Sequence, residues 1–179
     1  MSLYFITGNK NKFAEVQSFF PEIEQLDIDL PEIQEISAKK IIEQKLIAAE
    51  AHGKSEYIVE DTSFYLDCLG GALPGPLIKW FEKAIGIADI AALAEKMGNT
   101  GATAKTIIGY ADASGIMHFF EGTLRGTIVS PTGDKDFGWG PIFKPEGHEK
   151  TFGEMAREEK HAIGMRGIAI GKLKYFLKR

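Results

Sequence analysis

The sequence predicts an α/β fold in which a parallel strand pair is enlarged into a mixed sheet. Three observations carry this expectation. The apolar run LYFIT breaks at Gly8-Asn9 and passes into a segment of helical spacing. Strand, helix, helix and strand signals then follow one another up to Val59, the order that produces a parallel pairing. Further on, TIIGYAD and IMHFFEG are separated only by Ala113-Ser114-Gly115, which reads as a hairpin.

Taken in order, Leu3 to Thr7 is a short apolar run and reads as a buried strand. Phe13, Val16 and Phe20 fall at helical spacing, and Pro21 stops that helix. Ser37 is placed to N-cap a second helix in which Ile42, Leu46 and Ala49 share a face, ending near His52-Gly53. Tyr57 to Val59 is the next short buried strand. Beyond GGALPGP, residues 70 to 76, IKWFEKAIGIADIAALAEKMG is helical with a break at Gly86, and Ile90, Leu93, Ala94 and Met97 form an apolar face in its second half. RGTIVS reads as a third strand after the hairpin. Ala169, Leu173, Phe176 and Leu177 mark a C-terminal helix.

The 179 residues suit one domain over 1–179, and nothing resembling a linker or repeat divides them. Hydrophobic residues at 44% and charged residues at 26% are an ordinary soluble mixture. A formal net charge of -4 argues against a general nucleic-acid binder, which needs a basic surface. With Cys68 as its single cysteine the chain has no internal disulfide, and Cys68 reads as a small core hydrophobe. MSLYFITGNK carries neither a basic leader region nor a membrane span, so the expectation is a cytoplasmic protein with no membrane partner.

Four segments carry possible chemistry. FITGNKNKF joins a strand to a helix start, where unpaired N–H groups and the helix dipole suit an anion; Gly8, Asn9 and Lys12 would face a phosphate. Taken alone, Gly8 is a turn residue, Asn9 an N-cap and the lysines surface charge. YIVEDTS sets Glu60 and Asp61 directly after a buried strand, where ligands of open α/β sheets sit, and two hard carboxylates there suit Mg²⁺. Equally, Asp61 reads as a turn former. Glu32 in LPEIQ is a further oxygen donor or a plain loop acid. DFGWGPIF, residues 136 to 143, alternates glycine with Phe137 and Trp139, either as a stacking platform for a base or as an aromatic corner of the core. REEKHAIGMRGIA contributes Lys160 and Arg166, the latter a fixed fork of donors suited to a keto oxygen or phosphate, or else a solvated surface residue. His52, His118, His148 and His161 show no metal-ligand spacing, and no Ser/His/Asp or Cys/His nucleophile arrangement is evident.

Together these segments resemble the inosine/xanthosine triphosphate pyrophosphatase family, which clears non-standard purine nucleotides. The match runs almost end to end, through TGNKNK, PE at Pro31-Glu32, VEDTS, LGGALPGPLIKWF, DFGWGPIF and EKHAIGMRG. The resemblance implies an elongated mixed α/β sheet flanked by helices, two lobes around a central nucleotide-binding cleft, a homodimer, and Mg²⁺, or Mn²⁺ in its place. The implied reaction cuts triphosphates such as ITP, dITP and XTP to the monophosphate and pyrophosphate. By position, Thr7, Gly8, Asn9 and Lys12 would hold phosphates together with Lys45 and Lys79, with Lys45 and Asp61 as catalytic groups. Glu32, Glu60 and Asp61 would hold the metal. Phe137, Gly138 and Trp139 would flank the base, and Lys160 and Arg166 would read its polar edge.

Two departures fall in the base-reading part. The family usually has Asp after the Trp of FGW and Ser-His before the Arg; here these positions are Gly140 and Gly164-Met165. A site that pairs a polar edge discriminates far better than an apolar one, so a relaxed or altered base preference is expected. A nucleotide-binding protein without turnover is the reading from another class. The related septum-associated pyrophosphatases fit the IKWF and FGW blocks poorly.

Overall fold

The N-terminal apolar run forms strand β1 (Leu3–Ile6), and Asn9 caps the helix after it, α1 (Lys10–Phe19). In the computed structural model, which describes residues 2–134 and 138–178, these are followed by β2 (Glu24–Leu26), α2 (Ala38–Glu50), β3 (Glu56–Leu66) and β4 (Pro74–Gly75). Helix α3 (Ile78–Lys96), the hairpin β5 (Gly101–Ala111) and β6 (Met117–Ile128), β7 (Phe143–Pro145), α4 (Arg157–Ile163) and α5 (Met165–Leu177) complete the order. One mixed seven-stranded sheet runs β2-β1-β3-β5-β6-β7, with β4 beside β3. β1 is parallel to both β2 and β3, while the remaining pairs are antiparallel. The expected α/β architecture and its parallel opening are therefore present.

Three expectations are corrected. The strand read as Tyr57 to Val59 extends to Leu66, so Glu60 and Asp61 lie in its middle and not beyond its end. Continuous pairing with β5, from Tyr57 opposite Ala111 to Leu66 opposite Ala102, satisfies the backbone of the polar EDTS stretch and overrides its turn-like composition. RGTIVS is not a separate strand: Arg125–Ile128 continues β6. Its glycines mark close approaches, because a β-carbon on Gly122 would fall 1.7 Å from the Met165 carbonyl oxygen. β2 was not anticipated, being a three-residue edge strand with little pattern of its own. Helix α3 does break at Gly86, whose φ of 78° lies outside helical space. Its Ile90 and Ala94 are buried, while Met97, past the helix end, is exposed.

β3 runs through all three hydrophobic cores. Successive side chains on a strand point to opposite faces. Ile58 packs with Val16, Ala169 and Leu173 of α1 and α5, whereas Tyr57 and Val59 pack with Ile42, Leu46 and Ala49 of α2. At the far end Phe64 and Leu66 join another core with Ile78, Ile90, Phe143 and Met165. The polar residues Glu60, Asp61, Thr62 and Ser63 form the waist between these cores. Among the described residues no helix is long and apolar enough to cross a membrane.

Candidate active site

β1 stops at Ile6, while its parallel neighbour β3 continues past it, so the Thr7-Gly8-Asn9 turn lies beside the waist. The Asn9 side-chain oxygen accepts hydrogen bonds from the backbone N–H groups of Asn11 at 3.0 Å and Lys12 at 3.1 Å. Thr7 Oγ1 accepts one from the Asn9 N–H at 3.1 Å. The N-cap reading of Asn9 thus holds, and it fixes the first turn that carries Lys12. Gly8 is exposed, and a β-carbon there would lie 3.1 Å from Asp27 Oδ1.

Glu60 and Asp61 are adjacent in sequence but face opposite sides of the sheet. Glu60 turns toward α1 and α5: Lys12 Nζ stands 2.6 Å from its Oε1, and Arg166 Nε donates to its Oε2 at 2.7 Å. Arg166 Nη1 also donates to Glu15 Oε2 at 2.6 Å, and His161 Nε2 lies 3.6 Å from the same oxygen. Burial pushes the Glu60 carboxyl up, but the cations of Arg166 and Lys12 outweigh it and bring it down to about 2. Arg166 is opposed by its own burial and held firmly charged by Glu60 and Glu15.

On the other face Lys45 of α2 donates to Glu32 Oε1 at 2.7 Å and stands 4.0 Å from Asp61 Oδ1. The hydrogen bond from Lys45 holds Glu32 below the usual carboxylate range. Asp61 differs: burial pushes its carboxyl up despite Lys45 and Lys12, and among the described residues its other oxygen receives only a long 3.5 Å bond from Ser63. Of Glu32, Glu60 and Asp61, Asp61 is the one whose carboxyl is pushed up. Lys79, on the exposed first turn of α3, is close enough for its charge to act on Glu32.

The aromatic segment is divided in its outcome. Phe137 lies outside the described residues. Trp139 stacks on Phe64, with ring centroids 4.3 Å apart and planes 9° from parallel, and meets Phe143 and Phe152. This is the aromatic-corner arrangement, with one indole face already covered. Gly138 takes a positive φ of 68°, and Gly140 opens a short 3₁₀ turn, Gly140–Ile142. At the start of α5, a β-carbon on Gly164 would come 2.6 Å from the Lys160 carbonyl oxygen, and the Met165 side chain is buried in the core with Phe64 and Ile78. Neither position presents a polar group to a cleft. Lys160 lies on α4, one turn before Gly164, and Arg166 is turned under Glu60.

Sequence reasoning missed Glu15 and Glu82. Glu15 is a buried acid beside Val16, and the signal was its place one turn after Lys12 on the apolar side of α1. Glu82, on α3 one turn after Lys79, accepts a hydrogen bond from the Trp139 N–H. Nothing in the sequence pointed across that distance. The apolar depression lined by Phe120, Ile168, Tyr175 and Phe176 on α5 and β6 involves none of these groups.

The donor chemistry suits a hard divalent cation, since carboxylate oxygens are the preferred ligands of Mg²⁺. Glu15, Glu32, Glu60 and Asp61 face Lys12, Lys45 and Arg166, with Lys79 acting on Glu32 from α3, so four cations no more than balance four carboxylates before any phosphate enters. A triphosphate bound there requires added positive charge. Among the described residues no three acids, imidazoles or thiols already surround one point, because Lys12 and Lys45 hold the carboxylates apart.

A mixed α/β protein whose cations and carboxylates gather at the open end of a parallel strand is the class that fold and site define. Within that class the chain belongs to the Ham1 family, whose model matches residues 3–176. It is 39% identical to the inosine triphosphate pyrophosphatase of Schizosaccharomyces pombe, across 99% of this chain and 95% of that protein. It is likewise 39% identical to the inosine triphosphate pyrophosphatase of Saccharomyces cerevisiae, across 98% and 95%. Its fold matches the Staphylococcus aureus Ham1 protein with a TM-score of 0.84 at 24% identity, over 99% of this chain and 98% of that one. It matches a nucleoside-triphosphatase, dITP/XTP pyrophosphatase, from Mycobacterium abscessus with a TM-score of 0.77 at 26% identity, over 97% and 98%.

Proposed function

We propose that this protein hydrolyses ITP, dITP and XTP to the nucleoside monophosphate and pyrophosphate. The observation that carries this reading is the pair of cation–carboxylate arrays on the two faces of β3, meeting where β1 ends. It is supported by family membership and by the inosine triphosphate pyrophosphatases matched along nearly their whole length.

In this reading one domain, residues 1–179, holds the nucleotide at the waist, in a cytoplasmic homodimer. Lys12 and Lys45 exchange their carboxylates for phosphate oxygens when substrate enters, assisted by Lys79 and the Thr7-Gly8-Asn9 turn. Arg166 keeps Glu60 ionised and oriented throughout. Asp61, whose basicity is raised by burial, takes a proton from the attacking water. Glu32, Glu60 and Asp61 would hold Mg²⁺, which when bound supplies positive charge to the phosphates and acidifies water. Gly138 and Trp139 flank the base, and Lys160 borders it.

Asp61→Asn tests the assignment. Turnover of ITP should fall by about 10² to 10⁴, the range of general-base catalysis. An unchanged rate would remove Asp61 from the chemistry.

A further inference from the structure

The polar residues that the family places after FGW and before Arg are absent here, yet the Gly138–Gly140 turn is held by a charged group from elsewhere. Glu82 reaches it from α3, accepting a hydrogen bond from the Trp139 N–H. Its Oε1 and Oε2 stand 3.0 and 3.4 Å from where a β-carbon on Gly138 would lie. The turn is also tied by backbone: Ile142 N–H donates to the Trp139 carbonyl at 3.1 Å and Gly153 N–H to the Gly140 carbonyl at 3.1 Å. Below it, Phe64 fixes the indole ring. Burial pushes the Glu82 carboxyl up, against the Trp139 N–H and the charge of Lys79. Desolvating a carboxylate is costly, so a partly buried one that receives a backbone N–H constrains that backbone strongly.

Resting on the proposed pyrophosphatase reading, we propose that Glu82 is a positioning residue that sets base specificity by fixing the Gly138–Gly140 turn beside the nucleobase. The same helix carries Lys79 one turn earlier, so α3 ties the base-flanking turn to the phosphate end of the site. Because Glu82 acts on the base end, its loss should move KM and discrimination and leave the bond-breaking step alone.

The test compares the wild type with Glu82→Ala and Glu82→Gln by steady-state kinetics on ITP and ATP, after thermal melts establish that each variant is folded. Glu82→Ala should raise KM for ITP about tenfold or more, the scale of one charged hydrogen bond, with kcat within about threefold. The ratio of kcat/KM for ITP to that for ATP should fall by the same factor, which a general loss of structure would not produce. Glu82→Gln keeps an acceptor for the Trp139 N–H and should stay within about threefold of wild type in KM. Equal KM in all three proteins, a Gln variant as impaired as the Ala variant, or parallel losses on ITP and ATP would each overturn the assignment. A wild type that turns over neither nucleotide overturns the pyrophosphatase reading itself, which separates the two failures.

Discussion

Replacing Arg166 with Met tests whether this side chain organises the waist. Met conserves much of the volume and removes the charge. Two carboxylates are left behind with side-chain exposures of 2% for Glu60 and 7% for Glu15. Stranding a buried charge costs about 3–5 kcal/mol, and Lys12 on Glu60 and His161 near Glu15 place this case at the lower end, about 3 kcal/mol. Urea unfolding at pH 7.5 in EDTA should therefore show a midpoint lower by about 1.5 M, for a slope of about 2 kcal/mol per M. Adding Glu15→Gln and Glu60→Gln to the Met variant should recover part of that loss, because the stranded charges are gone. A loss under about 1 kcal/mol, or no recovery in the combined variant, would refute the reasoning.

Gly122→Ala should destabilise by about 2 kcal/mol or more and lower activity, since its β-carbon would meet the Met165 carbonyl at 1.7 Å and push the start of α5 away; a melting temperature within a degree of wild type would contradict this. Acid should unfold the metal-free protein through Glu60. Its folded value lies below its ordinary 4.5, so its contribution is complete above pH 4.5 and is lost as pH falls toward about 2. In urea midpoints across that range, this slope should be present in wild type and absent in Glu60→Gln. Chelation should abolish ITP turnover and Mg²⁺ restore it, because the cations of the waist are already balanced by its carboxylates; full activity in EDTA would contradict the charge argument.

Much of the architecture was legible because its signals are local. The break at Gly86, the N-cap at Asn9 and the hairpin around Ala113-Ser114-Gly115 depend on neighbours in sequence, and each appears where its residues place it. The length of β3 was not legible, since the polar EDTS stretch is held extended by β5, a partner some forty residues away. The segment read as a strand from Arg125 was misjudged for a related reason. Gly122 resembles a chain breaker until Met165 is seen against it.

At the site, residue types were legible and their partners were not. Lys12, Glu60, Asp61, Lys45 and Glu32 do converge at the waist, but strand alternation sends the two adjacent acids to opposite faces. Arg166 was read as facing a base; instead Glu15 and Glu60 occupy all three of its nitrogens. The absence of the family's usual residues at 164 and 165 has a packing counterpart, a β-carbon clash at Gly164 and a buried Met165 side chain. Glu82 could be found only from three-dimensional proximity to Gly138 and Trp139.

The central claim is tested most directly by incubating the wild-type protein with ITP and Mg²⁺ and following the products by phosphorus NMR. The account expects IMP and pyrophosphate in equal amounts, from cleavage between the α- and β-phosphates. IDP with orthophosphate, or ITP left intact, would contradict it.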